Sequence, residues 1–264
     1  MTTRKQLLEA HADLTATILA SEEWEPSYHR APKQLKRLIQ TEAELQASLT
    51  DYLAGLSTRV EGLVVWSEVQ LHPITASTTP PLSDERWKAE RALLNAAVSG
   101  YLLELVTIGA EAGEVIYAIP LGLGPLDEAV MKAAGQQTAR LVKDVTKTTR
   151  KLISSAIEQS IAQGEDIAAT LERIQSIVAN PVRAELIART ESVFAYQGGL
   201  ETFAAESGAK SSTWDALSGA CQLCAPLDGK TVKIGEAFVL GNGATVIHPP
   251  GHPRCRCGRI LNYP

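Results

Sequence analysis

Cysteines and aromatic residues are scarce in this sequence, and several common catalytic motifs are absent from it. No cysteine occurs in the first 220 residues, and aromatic residues make up only 5% of the 264 residues. So few aromatic rings argue against a surface that binds single-stranded nucleic acid by base stacking. The motifs H-E-x-x-H, G-x-S-x-G and G-x-x-x-x-G-K are absent, so the sequence lacks these signals for a zinc peptidase, an α/β-hydrolase or a P-loop enzyme.

Long apolar runs are also missing. The longest apolar-leaning region, residues 96–119, is interrupted by Glu104, Glu111 and Glu114. We therefore expect no membrane-spanning segment and no membrane partner. The N-terminal residues are polar and amphipathic and contain no apolar run typical of a secretory signal. We expect the chain to fold in a reducing cytoplasm, where cysteines stay unpaired or bind metal.

Positive charge is not in excess. The chain has 25 Lys and Arg against 30 Asp and Glu, a formal net charge of −5, which argues against general attraction to nucleic acid. One basic stripe nevertheless recurs at helical spacing and consists of Arg140, Lys143, Lys147 and Arg150. Two interpretations stay open: contact with DNA phosphates or an acidic partner surface, or an ordinary solvated helix face.

The hydrophobic pattern predicts a mainly α fold, with helical N-terminal and central regions followed by a small β-rich, zinc-binding C-terminal unit. Residues 1–125 form the first zone, in which apolar residues recur at helical spacing over residues 7–19 and again over residues 35–56. A linker or long loop is predicted for residues 72–83, and Ser83 at its end is expected to cap a helix. Glycines and prolines between residues 109 and 125 predict irregular structure.

The central zone, residues 126–208, has the clearest helical signal. A long helix is predicted over residues 126–163, where apolar residues follow a 3.6-residue period. A short helix is expected to begin near Asp166 and to stop before an Asn-Pro pair. A third helix is predicted over residues 182–205.

The last zone, residues 209–264, is rich in glycine and leans towards β structure. Its strands are predicted at residues 213–216, 231–234, 238–240 and 244–247. The last two flank Gly241-Asn242-Gly243, and Asn-Gly is a strong hairpin signal. Trp214 is expected to fill the core of this small unit.

All four cysteines lie in the last zone, in two groups around the predicted hairpin. The residues are Cys221 and Cys224 in the first group, and His252, Cys255 and Cys257 in the second. Two ligand groups separated by a folded excursion are typical of a four-coordinate structural zinc site. Closing such a site would tie together a unit that has little core of its own.

The spacing is compatible with several ligand sets. We expect Cys221, Cys224 and Cys255 to be ligands, with either His252 or Cys257 as the fourth. Two alternatives stay open: a pair of disulfides, for which four cysteines allow three connectivities, and four reduced cysteines that bind no metal.

His248 is a weaker ligand candidate and supports the main enzymatic alternative. The string His248-Pro-Pro-Gly-His252 offers two imidazoles, and a zinc-dependent nuclease could use His248 as its base. An acidic partner is not evident in the sequence, and paired cysteine-rich ligands usually close a site. We therefore predict no catalytic residue.

Polar residues around the second group have two interpretations. Arg254, Arg256 and Arg259 could contact DNA or hydrogen-bond to carbonyl groups around the metal loop. On the third predicted helix, Arg189, Thr190 and Glu191 could form a polar cluster with a structural role against the C-terminal unit. The alternative is an ordinary helix face with a local ion pair, which contributes little when exposed.

Taken in order, several of these strings resemble the phage Mu protein F-like family. They are Arg183-Ala-Glu-Leu-Ile-Ala-Arg-Thr-Glu191, Trp214, Cys221-x-x-Cys224, Leu227-Asp-Gly-Lys230 and His252-Pro-x-Cys-Arg-Cys257. The resemblance covers about residues 126–264. Members often carry Asp and Thr shortly before the first cysteine, whereas this chain has Ser218-Gly219-Ala220 there.

The resemblance implies a minor structural protein of a tailed-phage head, made in the host cytoplasm and residing in the virion, in the head interior near the portal. Its implied partners are the portal protein, the inner capsid and packaged double-stranded DNA, and its implied roles are head morphogenesis and DNA packaging or ejection. The candidate contacts to DNA or portal are then Arg140, Lys143, Lys147, Arg150, Arg254 and Arg256. Residues 1–125 match nothing recognisable, and we expect their amphipathic helices to dock on the portal or capsid.

Two other classes remain as alternatives to a head protein. One is the zinc-dependent nuclease. The other is a zinc-ribbon DNA-binding protein, which would be expected to show a stronger basic balance and a recognition helix beside the cysteines.

Overall fold

A computed structural model describes Trp24, residues 26–71 and residues 82–264. The helices are α1 Pro26–His29, α2 Pro32–Arg59, α3 Trp66–Leu71, α4 Asp84–Tyr117, α5 Glu128–Gln163, α6 Ile167–Val178 and α7 Pro181–Ser207, with 3-10 turns at Val60–Leu63 and Ala225–Leu227. The strands are β1 Ser211–Asp215, β2 Thr231–Lys233, β3 Phe238–Val239, β4 Thr245–Val246 and β5 Gly258–Asn262. The mainly α fold with a small C-terminal β region is confirmed. The helical pattern of residues 7–19 and most of the predicted linker lie outside the described residues.

Helix α2 begins at Pro32, whose fixed φ suits the first turn of a helix. Its buried leucines lie three, four or seven residues apart and form one apolar face: Leu35, Leu38, Leu45, Leu49, Leu53 and Leu56. The periodicity in this part of the sequence therefore reports a real buried face.

Helix α4 is longer than the sequence predicts. Ser83 precedes it, and the Arg86 N–H lies 3.4 Å from the Ser83 hydroxyl oxygen, as a capping residue requires. The predicted irregular stretch after residue 109 is wrong at its start, because Gly109 and Gly113 lie inside α4. Irregular structure begins only after Tyr117.

The reason for these glycines is a close crossing of α4 and α7. A Cβ atom on Gly109 would collide with the backbone of Tyr196, and one on Gly113 would collide with the Phe203 ring. From the other side, a Cβ on Gly199 would collide with the Val106 carbonyl oxygen. Tertiary contact therefore outweighs the low helix propensity of glycine here.

Helix α4 also corrects the expectation about long apolar segments. By length and composition it could cross a membrane, with a window of mean hydropathy 1.5. Its acidic residues Glu104 and Glu111 both bind the Arg37 guanidinium, and Leu102, Leu105 and other apolar side chains are fully buried. These contacts are those of a helix packed inside a protein core.

The predicted central helices are confirmed with small shifts of their ends. The long helix is α5, which Gly164 follows with a positive φ of 69°. Asp166 is the N-cap of α6, since its side chain accepts the Ala169 N–H at 2.8 Å. Helix α7 begins at Pro181, one residue before the predicted start.

The C-terminal strands form a three-stranded antiparallel sheet in the order β2-β1-β5 and a separate β3–β4 hairpin. The predicted hairpin is confirmed, since Phe238 pairs with Val246 and Val239 with Thr245. Strand β5, which pairs along the whole of β1, was not predicted.

Backbone contacts divide the chain into two compact units. One comprises the described residues up to Glu44 together with Tyr101–Ala134 and Ala188–Pro264, and the other comprises Leu45–Gly100 and Gly135–Ile187. These units do not follow the boundaries after residues 125 and 208 drawn from the sequence. Helices α2, α4, α5 and α7 each continue from one unit into the other, so the units are interleaved along the chain.

The α4–α7 crossing gives a stability prediction. Gly199→Ala should lower the free energy of unfolding by about 1–3 kcal/mol, because the added methyl group has no space against Val106. The control is Gly198→Ala in the same helix, where a Cβ would meet no atom within 4 Å. That variant should be neutral or more stable by up to about 1 kcal/mol. Urea denaturation of both variants measures the difference, and equal stabilities would contradict the packing described.

Candidate metal centre

The first cysteine group lies on a tight turn after β1. The Cys224 N–H donates to the Cys221 carbonyl at 3.0 Å, and the 3-10 turn Ala225–Leu227 follows at once. This turn places Cys221 at the surface and Cys224 in the interior. The C-x-x-C spacing thus directs two sulfur atoms to the same side of the chain.

The second group lies on a loop between β4 and β5. The Cys255 N–H donates to the His252 carbonyl at 3.2 Å, and Arg254 has a left-handed backbone with φ of 62°. The loop packs directly on the first group: a Cβ on Gly251 would lie 3.2 Å from the Cys224 Sγ. Glycine at this position lets the two turns approach each other closely.

The structure brings all five predicted ligand residues together as two triads that share Cys224. Ligand atoms of Cys221, Cys224 and His252 lie within 4.8 Å of one another, and so do those of Cys224, Cys255 and Cys257. The Cys224 and Cys255 sulfur atoms are 3.8 Å apart. A tetrahedral zinc ion with bonds of about 2.3 Å holds sulfur ligands about 3.8 Å apart, so this pair already has the required spacing.

His252 has the orientation of a metal-binding imidazole. Its Nδ1 lies 2.7 Å from the Pro253 carbonyl oxygen, which can only accept a hydrogen bond, so Nδ1 carries the proton. In the neutral imidazole the other nitrogen, Nε2, is then free to accept a metal ion, and it lies 3.1 Å from the Cys221 Sγ. A carbonyl bound to the remote ring nitrogen is the common way to orient a histidine ligand.

The sulfur atoms influence one another strongly. Hydrogen bonds from the Cys224 and Cys257 thiols hold the pKa of Cys255 well below its usual value. The same bond to Cys255, with burial, raises the pKa of Cys224. The thiols of the second triad are therefore coupled to one another, and a bound cation would stabilise their deprotonated form. All four cysteines are free thiols in this structure, unlike the disulfide alternative.

Apolar residues enclose the buried thiols. The cluster contains Trp214, Leu227, Phe238 and Leu240 together with Cys224, Cys255 and Cys257. The Trp214 and Phe238 rings meet edge to face at 5.2 Å. The predicted core role of Trp214 is confirmed, and the cysteine sulfurs form part of the same small core.

His248 lies outside both triads. It is only 7% exposed, its ring meets Phe194 at 4.8 Å, and its Nδ1 lies 2.6 Å from the Pro249 carbonyl oxygen. A general base must reach a bound substrate, and this buried position does not favour the nuclease alternative.

The predicted contact of Arg256 with DNA or portal is contradicted by its position. The residue is 4% exposed, and its guanidinium donates to both Glu42 carboxylate oxygens at 2.6 and 2.9 Å. It also donates to the Arg189 carbonyl at 3.2 Å and lies 3.9 Å from the centre of the Trp24 ring. Arg256 therefore belongs to the interior, and the carbonyl that it binds lies on α7 and not on the metal loop.

Arg254 and the helix residues beside it behave differently. Arg254 is exposed, and its backbone N–H donates to the Thr190 hydroxyl at 3.2 Å. The Thr190 hydroxyl and the Arg189 carbonyl both bind the second cysteine loop, so two of the three residues of the predicted polar cluster contact the C-terminal unit.

The basic stripe on α5 is not uniform. Arg140 lies 3.8 Å from Asp144, and Arg150 lies 2.7 Å from Asp84. Each arginine is partly neutralised by its carboxylate, whereas the two lysines of the stripe are exposed. The predicted contact with a polyanion therefore depends mainly on Lys143 and Lys147.

Arg259, the third arginine near the second cysteine group, is a structural residue and not an exposed contact for DNA. Its side chain is fully buried in β5, donates to the Gln197 carbonyl at 2.7 Å and to the Gln197 Oε1 at 3.1 Å, and pairs with Glu201. The only sequence signal is a charged residue at an inward position of a short alternating segment. Arg259 thus ties β5 to α7.

Replacement of Arg259 should be costly. Arg259→Met leaves the Gln197 groups and the Glu201 carboxylate without their donor, and should lower the free energy of unfolding by about 2–4 kcal/mol. Lys230→Met, at an exposed position of the same C-terminal region, is the matched control and should change stability little. Thermal or urea unfolding followed by circular dichroism compares the two. Similar stabilities would show that the buried arginine does not hold β5 to α7.

Comparison with known families agrees with the resemblance seen in the sequence. The family model described as "Phage Mu protein F like protein" matches residues 151–260. The matched residues run from within α5 to within β5 and contain all five ligand candidates, whereas the basic stripe lies before them. No curated protein and no solved structure matches the chain.

Proposed function

We propose that the chain is a minor structural protein of a tailed-phage head, because residues 151–260 match the model of the phage Mu protein F-like family. We further propose that it associates with the portal and the inner capsid, inside the virion head, and acts in head assembly and in DNA packaging or delivery. The observation that carries the proposal is the family match, which spans both cysteine groups and the helix that binds the second of them.

The chemistry of the cysteine cluster supports a structural role. Thiol and imidazole groups are ligands that zinc prefers, and cysteine-rich sets of this kind close the coordination sphere and leave no position for a substrate. Cys224 and Cys255 lie within an apolar cluster, which would shield that side of a bound ion from water. When bound, zinc would supply crosslinks between the two cysteine turns.

We assign the proposed ligands as Cys221, Cys224, His252 and Cys255. The support is the position of the His252 Nε2 beside Cys221 and the spacing of Cys224 and Cys255. In this assignment Cys257 is a buried neighbour of the site and not a ligand.

The zinc proposal predicts a definite stoichiometry. Purified full-length protein should contain about one zinc ion per chain by elemental analysis. Cys255→Ser should lose most of the metal, because serine is a poor zinc ligand, whereas Cys257→Ser is the matched control and should retain it. Metal-free wild-type protein would refute the zinc proposal. Retention in Cys255→Ser with loss in Cys257→Ser would show that Cys257, and not Cys255, is the ligand.

The head proposal is tested by association. The full-length chain, co-expressed with the portal and capsid proteins of its own phage, should copurify with portal and procapsids at low copy number. Residues 24–44 contribute buried side chains such as Trp24, Tyr28 and Leu38, so a deletion of the N-terminal region should stop at residue 23. A chain that never associates with portal or procapsid would refute the assignment. Equal association after removal of residues 1–23 would show that docking uses another surface.

The two exposed lysines of the basic stripe allow a separate test of contact with DNA. Lys143→Glu combined with Lys147→Glu should reduce the DNA content of assembled heads if this face meets packaged DNA, because each change reverses a charge. Lys210→Glu combined with Lys230→Glu, at exposed positions of the C-terminal region, gives the same change of charge elsewhere. Equal DNA content in both double variants would favour an ordinary solvated helix face.

A further inference from the structure

The second cysteine group is held from outside by residues close to the start of the described chain. Arg256 lies between Cys255 and Cys257 and binds Glu42 of α2 through two hydrogen bonds of 2.6 and 2.9 Å. The Tyr28 hydroxyl of α1 donates to the Cys257 carbonyl at 3.0 Å. Arg256 and Cys257, which are successive residues of one loop, therefore each bind a different N-terminal helix.

These contacts are buried and connected to one another. The exposed fractions of the Arg256 and Glu42 side chains are 4% and 15%. The Tyr28 hydroxyl also accepts a hydrogen bond from the Gln197 amide at 2.8 Å, so α7 completes the network. A buried, charge-assisted pair of this geometry fixes both of its partners more firmly than an exposed pair does.

The two halves of the metal centre are positioned in different ways. Cys221 and Cys224 lie on a turn whose hydrogen bonds are internal to the C-terminal unit, such as the one from the Cys224 N–H. The loop that carries Cys255 has its charged neighbour bound to α2, more than 200 residues earlier in the chain. A zinc site tolerates only small shifts of its ligands, so groups that orient a ligand segment affect metal affinity.

We propose that Glu42, Arg256 and Tyr28 are positioning residues for the metal centre, and that metal binding in turn holds α1 and the first part of α2 on the core. This inference depends on the zinc binding proposed above. Because coupling between two equilibria is reciprocal, any change that detaches residues 24–44 lowers metal affinity by the same factor by which metal strengthens their attachment. Metal binding thereby affects how firmly the segment that directly follows residues 1–23 is attached to the core.

The first test measures zinc affinity of the full-length chain by competition with a chelator of known affinity. Glu42→Gln removes the charge that holds Arg256 and should weaken zinc binding by about tenfold or more. Glu44→Gln is the matched control, since Glu44 lies on the same helix, is exposed and accepts a hydrogen bond from Gln40. Its affinity should equal that of the wild type. Equal affinity of Glu42→Gln and wild type overturns the proposal.

The second test needs no variant and so does not depend on how well Glu42→Gln folds. Hydrogen exchange of the wild-type chain is followed by mass spectrometry with zinc bound and after chelation. Exchange should rise in residues 26–44 on zinc removal, while α6 keeps its protection. Unchanged exchange in residues 26–44 overturns the proposal, and so does a wild-type chain that binds no zinc. Failure of the chain to associate with phage heads would leave both measurements unaffected.

Discussion

The burial of three sulfur atoms beside one another is the constraint on which the C-terminal part of this protein depends. Cys224, Cys255 and Cys257 are each at most 2% exposed, and their ligand atoms lie within 4.8 Å of one another. Thiols at this distance share protons unequally, and a buried thiolate is costly unless hydrogen bonds or a cation stabilise it. The apolar residues around them cannot supply that stabilisation. The hydrogen-bond donors must therefore come from the loops that carry the cysteines, and a bound cation would lie between these loops.

Two buried arginines attach the small β unit to the helices. Arg256 binds α2 and α7, and Arg259 binds α7, so guanidinium groups and not only apolar side chains join the sheet to the helices. A planar group with several donors suits this task because it can satisfy carbonyl and carboxylate groups together. This attachment is sensitive to substitution, because removal of either the arginine or its carboxylate partner leaves a buried charge unpaired. The same residues that appear from the sequence to be surface contacts are thus part of the interior.

The sequence predicts local features well and long-range ones poorly. The apolar face of α2, the Asp166 cap and the β3–β4 hairpin all depend on residues within a few positions of one another, and each was predictable. The continuation of α4 through Gly109 was not, because the glycine is explained by Tyr196 on another helix. Strand β5 was missed because its partner β1 lies far back in the chain, so no local turn signal joins the two strands. The candidate ligands were predictable from spacing alone, whereas the burial of Arg256 depends on Glu42 and Trp24.

Because the two compact units are interleaved along the chain, the segment that matches the family is not a complete structural unit. Residues 151–260 contain the metal centre and most of α7, yet Gly199 packs on Val106, and Tyr196 packs on Tyr28 at 5.1 Å. Val106 and Tyr28 lie outside the matched segment. In this chain, residues outside the matched segment therefore cover one face of α7, and Glu42, which also lies outside it, neutralises the arginine between the two cysteines.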